Sequence, residues 1–224
     1  MDNLFKILYV CFITFIPFYT FGYEDCSRFQ YDVDVNVNNI TKDGVNITSS
    51  KEFLSGKLGY TESKIAYEYK LFLIPVRVRH GYCVSLRGLE VDVFFPEFNI
   101  IIDKKLKPNT CAYNIVLNHE QDHVNVHKKV LKENISNLKN ALVDAVKTIK
   151  PVFVNKDDDK DVVQEEIIKI LEKNESVVKI QEKVSKSLEE ENEIIDTRGD
   201  EYQVWKCKDF YEEMVKSGEN IRID

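Results

Sequence analysis

The sequence predicts an α+β protein, an antiparallel sheet packed on one long helix with a charged helical hairpin as an extension. Three observations carry this expectation. Between Phe29 and Asp103, apolar residues repeatedly alternate with a period of two, the mark of half-buried strands. From Cys111 to about Ile149 the period lengthens to that of a helix, and no glycine or proline interrupts it. From Lys156 to Glu193 the chain becomes strongly charged yet keeps a narrow apolar seam.

The strands are read in order. In FQYDVDVNV, Phe29, Tyr31, Val33, Val35 and Val37 share one face. IAYEYKLFL repeats the pattern through Tyr67, Tyr69, Leu71 and Leu73, and Pro75, which lacks an N–H to give to a ladder, is expected to end it. YCVSLRGLEVDVFF and FNIIID supply further strands, the first interrupted near Gly88. Short polar links favour antiparallel pairing.

The helix begins after Pro108, with Thr110 as its N-cap, and Pro151 marks its end. Ala112, Ile115, Val116, Val126, Val130, Leu138, Leu142, Ala145 and Ile149 trace much of its buried stripe. The charged piece, Lys156 to Glu193, holds 7 lysines against 13 acidic residues. Val163, Ile167, Ile170, Val177, Val184 and Leu188 give it a seam that suits an amphipathic helix lying along the first. Residues 151–193 therefore read as a helical insertion in a body made of 23–150 and 194–224. Within the final stretch, Trp205, Phe210 and Tyr211 are expected in the core.

A formal charge of -7 makes nucleic acid or an anionic membrane surface a poor partner. Residues 1–22 read as a signal peptide: Lys6 precedes an apolar run from Leu8 to Phe21, shorter than the roughly 20 residues a span needs. Thr20 and Gly22 fit the small positions of a cleavage site, so the mature chain starts at Tyr23, is periplasmic or secreted, and keeps no stable membrane insertion. Cys11 leaves with the signal, and Cys26, Cys83, Cys111 and Cys207 remain. Four cysteines in an exported chain suggest two disulfides with three possible pairings. Cys111–Cys207 with Cys26–Cys83 is the preferred set, and Cys83–Cys111 is its main rival.

One segment carries chemistry. The chain has 4 histidines, and His119, His123 and His127 fall at four-residue intervals in CAYNIVLNHEQDHVNVH. His119-Glu120-Gln121-Asp122-His123 has the H-E-x-x-H spacing of zinc peptidases. On a helix, residues four apart face the same way about 6 Å apart, so two imidazoles can grip one ion. Glu120 then stands within reach of a water at the metal's open position and serves as general base. His127 lies about 12 Å along the axis from His119, too far to share the ion comfortably, and is expected to flank the site. The third ligand should come from a later segment. Glu165, Glu166, Asp196, Asp200 and Glu201 are the candidates; Asp196 or Glu201 is favoured because IIDTRGDEYQVWKC has apolar neighbours and a cysteine.

TCAYNIVLNHEQDHVNVH, followed downstream by IIDTRGDEYQVWKC, resembles bacterial secreted zinc-dependent protease families of unknown function. The similarity covers roughly Tyr82 to Val130 and Ile194 to Cys207, and the intervening charged stretch is long for the pattern. The resemblance implies a metallopeptidase with zinc as cofactor and a peptide or protein as substrate. The rival expectation is a cell-envelope binding or scaffold protein with a structural or vestigial metal site. In zinc peptidases of this plan a strand beside the helix pairs with substrate, and FNIIID is the candidate here.

Overall fold

The computed structural model describes residues 25–40, 42, 44–50, 57–155, 160–208 and 210–212, with the backbone alone at 50, 160, 161 and 200–202. The expected signal peptide, 1–22, lies outside the described residues. Within them the chain is a mixed α+β fold.

The described strands form two sheets. In the first, β5 (Gly81–Phe94) lies between β1 (Asp34–Asn39) and β4 (Ala66–Arg77), and β7 (Val152–Asn155) pairs with the start of β5. In the second, β6 (Phe98–Asp103) lies between β2 (Val45–Ser50) and β3 (Gly59–Ser63). Neither sheet is purely antiparallel, because β1–β5 and β2–β6 are parallel pairs. The reason lies in the path of the chain: it alternates between the sheets, so strands adjacent in sequence are often not ladder neighbours. β4–β5 has the antiparallel pairing that a short link suggests, while the antiparallel pairs β3–β6 and β5–β7 join strands far apart in sequence.

Three further details depart from the sequence reading. Pro75 does not end its strand, since β4 continues to Arg77 with Pro75 opposite Val84. β4 lies at the sheet edge, where a missing N–H need not break a ladder. The irregularity near Gly88 is a bulge: Phe72 faces Gly88 while Leu73 faces Leu86, leaving Arg87 as the extra residue. FNIIID is the central strand of its sheet, with both edges paired, so the substrate-pairing role expected of it is closed.

The long helix, α1 (Cys111–Val146), starts where its cap predicts, with the Thr110 hydroxyl accepting the Tyr113 N–H at 3.4 Å. Its apolar stripe, including Val116, Val124, Leu131, Leu138 and Leu142, packs into one core with Val91 and Val93 of the first sheet and Ile100 and Ile102 of the second. The charged segment holds α2 (Lys160–Lys173) and α3 (Glu175–Thr197), joined at Asn174, whose side chain caps α3 through the Ser176 N–H. Val163, Ile167, Val177 and Val184 are buried along the seam, while Ile170 is exposed. The first-sheet face of β4 lies close to these helices: burial raises the Tyr69 phenol, with Glu172 adding to the shift, and a Gln181 hydrogen bond opposes the same effect of burial at Tyr67.

The direction of α3 matters for the site. Lys129 meets Glu191 at 3.2 Å and Asp122 meets Arg198 at 3.6 Å, so α3 runs antiparallel to α1. After it, a 3-10 segment (Asp200–Lys206) leads to Cys207. Trp205 and Phe210 stack edge to face at 5.1 Å, and Phe210 is buried. Tyr211, expected beside them, is instead 56% exposed. Successive helical residues point about 100° apart, so turning Phe210 inward carries Tyr211 toward solvent.

Two disulfides close the fold, Cys26–Cys83 and Cys111–Cys207, in the preferred pairing. They indicate an oxidising, exported environment. No helix among the described residues is long and apolar enough to cross a membrane. The second bridge joins residues 96 apart and ties the start of α1 to the segment leaving α3. Replacing Cys111 and Cys207 together with alanine should cost about 4–5 kcal/mol in urea denaturation, because the unfolded chain regains the closed loop's freedom. An unchanged unfolding midpoint would contradict that role.

Candidate metal centre

Four polar side chains of α1 are buried together: His119 at 5% exposure, Glu120 at 1%, His123 at 9% and His127 at 8%. The histidines form one row along the helix because each is four residues from the next. Polar groups out of water need partners, and the surrounding elements supply several of them, to Glu120, His123 and His127.

The last turns of α3 face the row. Asn192 and Asp196 are also four residues apart, and the antiparallel course of α3 slots them between the histidines. Asp196 Oδ1 lies 3.4 Å from His119 Nε2 and 3.1 Å from His123 Nε2. Asn192 Oδ1 lies 2.8 Å from His123 Nδ1, and its Nδ2 lies 2.9 Å from His127 Nε2. The two helices thus interleave, histidine against acid or amide at every step.

His119, His123 and Asp196 bring three ligand atoms together that could hold a metal ion. His119 Nε2 and His123 Nε2 are 3.3 Å apart, so the sides of the triangle measure 3.3, 3.4 and 3.1 Å. Donors 2.0–2.1 Å from a tetrahedral ion stand about 3.3–3.4 Å from one another. Two sides of the triangle match such a tetrahedron, and the third, His123 to Asp196 at 3.1 Å, is slightly short of it. His119, His123 and Asp196 also line a cavity of about 310 Å³, together with Glu120 and Thr61. Asp196 is the exposed member, with 55% of its side chain accessible.

Strand β3 forms the opposite wall, and its alternate residues Gly59, Thr61 and Ser63 share one face. A Cβ on Gly59 would come within 2.6 Å of Val116 Cγ1 and 2.8 Å of Glu120 Oε1, so the glycine makes room for the carboxylate. The Thr61 hydroxyl lies 2.7 Å from Glu120 Oε2 and 3.1 Å from the Glu120 carbonyl oxygen, and can donate to either. Ser63 Oγ lies 2.6 Å from His127 Nδ1. His127 also sits near the rings of Phe95 and Phe98, with centroids at 5.8 and 6.2 Å. Burial holds its pKa below the usual histidine value, and His123 lowers it further.

Among the residues expected from sequence, His119, His123 and Asp196 converge, and Glu120 lines the same cavity. His127 stands outside the ligand group and bonds to Asn192 and Ser63 instead. Glu165 and Glu166 are exposed on α2, where Glu165 pairs with Lys169. The side chains of Asp200 and Glu201 lie outside the described residues. Sequence reasoning missed Asn192 and the inner face of β3. The available signals were the four-residue step from Asn192 to Asp196 and the small residues alternating in GYTES.

No protein-family model, curated protein or solved structure matches the chain.

Gly59→Ala gives a direct check on the crowding at Glu120. The added methyl must push aside Val116 or the carboxylate, so the variant should lose about 1–3 kcal/mol in urea denaturation. A midpoint equal to the parent's would show that the strand stands further from the helix.

Proposed function

We propose that the chain is an exported zinc metallopeptidase that hydrolyses peptide bonds. The observation that carries this reading is the triangle of His119, His123 and Asp196 with Glu120 buried in the same cavity. Two imidazoles and a carboxylate are a donor set that zinc accepts, and three protein ligands leave a position open for water or substrate. Zinc held there would supply Lewis acidity toward the attacking water and the scissile carbonyl. Glu120 would then accept a proton from that water and pass it to the departing amine, a role its position beside His119 and its contact with Thr61 suit. Asp196, partly exposed, lets the ligand set stay open to the cavity mouth.

The substrate is an extended peptide lying along β3. That strand pairs with β6 on one side, and among the described residues no strand pairs with its other edge. Gly59, Tyr60 and Thr61 line the cavity, so a peptide adding to this edge would pass the site. The resemblance to secreted zinc-dependent protease families agrees with this reading, as do the two disulfides.

Three variants test it. The purified mature protein should carry one zinc per chain by elemental analysis. His123→Ala should abolish zinc retention, and Asp196→Ala should weaken it. Glu120→Gln should keep the ion and cut cleavage of casein or a peptide library at least about 100-fold, because only the base has gone. Zinc bound without cleavage under any condition would favour an envelope scaffold.

A further inference from the structure

Asn192 and His127 touch neither peptide nor ion in the reading above, yet both are held in place by several contacts. A continuous hydrogen-bonded path runs from Ser63 on β3 to His127, then Asn192 on α3, then His123. The steps measure 2.6, 2.9 and 2.8 Å, each at hydrogen-bond length.

The chemistry of each group sets the polarity of the path. A neutral imidazole that offers the Nε2 lone pair to an ion carries its proton on Nδ1. In His123 that proton points at Asn192 Oδ1, which accepts it. The same amide then presents its NH₂ to His127 Nε2, which must accept. His127, with Nε2 used as an acceptor, carries its own proton on Nδ1 and donates to Ser63 Oγ. One choice at the ion therefore fixes the tautomers of both rings and the orientation of the amide. Phe95 and Phe98 flank the His127 ring and restrict its turning.

We propose that Asn192 and His127 are positioning residues, which with Ser63 form a relay that locks His123 in its metal-binding tautomer and anchors it to β3. The relay rests on the zinc reading of His119, His123 and Asp196, but makes a separate claim about residues outside that triad. It also explains a third histidine on the row that is not itself a ligand: His127 completes the amide's bonding and sets which end faces His123. Since Ser63 belongs to the strand proposed to hold the peptide, a shift of β3 would be felt at His123.

Zinc affinity measured by chelator competition, with no turnover needed, separates the possibilities. Asn192→Leu removes the acceptor for His123 Nδ1–H and should weaken zinc binding about 10–100-fold, the usual effect of losing a partner behind a metal-bound histidine. Asn192→Asp keeps an oxygen for that proton and should recover affinity to within a few-fold of the parent. In the zinc-loaded parent, long-range ¹H–¹⁵N spectra of the imidazoles should place the His127 proton on Nδ1. Parent-like affinity in Asn192→Leu, or a His127 proton on Nε2, would overturn the relay and leave the zinc reading standing. A parent chain that binds no zinc would remove both. Should Asn192→Leu fail to fold, the tautomer of His127 in the parent still decides.

Discussion

Burying a row of ionisable side chains on one face of a long helix constrains everything around it. A buried polar group left unpaired costs about 1–3 kcal/mol, and α1 buries His119, Glu120, His123 and His127 within nine residues. The cost is offset only if neighbouring elements bring matching groups at matching intervals. α3 does so with Asn192 and Asp196, spaced like the histidines and running the other way. β3 does so with Thr61 and Ser63, spaced by the two-residue period of a strand. A helix repeat on one side and a strand repeat on the other thus meet the same row of side chains.

The remainder of the fold holds those layers in register. The Cys111–Cys207 bridge fastens the start of α1 to the chain just past α3, and the Lys129–Glu191 and Asp122–Arg198 contacts flank Asn192 and Asp196. These exposed ion pairs contribute little stability by themselves. Their value is geometric, since a slip of α3 by one residue would turn Asn192 and Asp196 away from the histidines. On the strand side, β6 is buried between β2 and β3, which leaves β3 at the edge beside the helix. The small residues Gly59, Thr61 and Ser63 then let backbone and carboxylate approach closely.

What the sequence revealed follows from how local each signal is. The histidine row needs only a helix, and its spacing, cap and length are all written between Thr110 and Val146. The convergence of Asp196 with His119 and His123 was legible less directly, from the apolar residues and cysteine around it. Strand pairing was not legible, because β1 pairs with β5 at residues 54 positions away, for example Asp34 with Gly88. β3 escaped notice altogether: five residues of small and polar character carry no apolar alternation, and their meaning comes from a helix far along the chain. Asn192 was hidden for a similar reason. In a segment dominated by Lys and Glu, one more polar residue signals nothing until α3 lies against α1.

The proposed function requires that the triangle of His119 Nε2, His123 Nε2 and Asp196 Oδ1 be a coordination sphere, not a chance meeting of polar atoms. An anomalous difference map recorded on either side of the zinc absorption edge, from crystals of the protein loaded with one equivalent of zinc, tests it most directly. A single peak about 2.0–2.2 Å from all three atoms, with His127 still bonded to Asn192, is the predicted result. A peak coordinated by His127 in place of Asp196, or no peak within reach of His119 and His123, would contradict it.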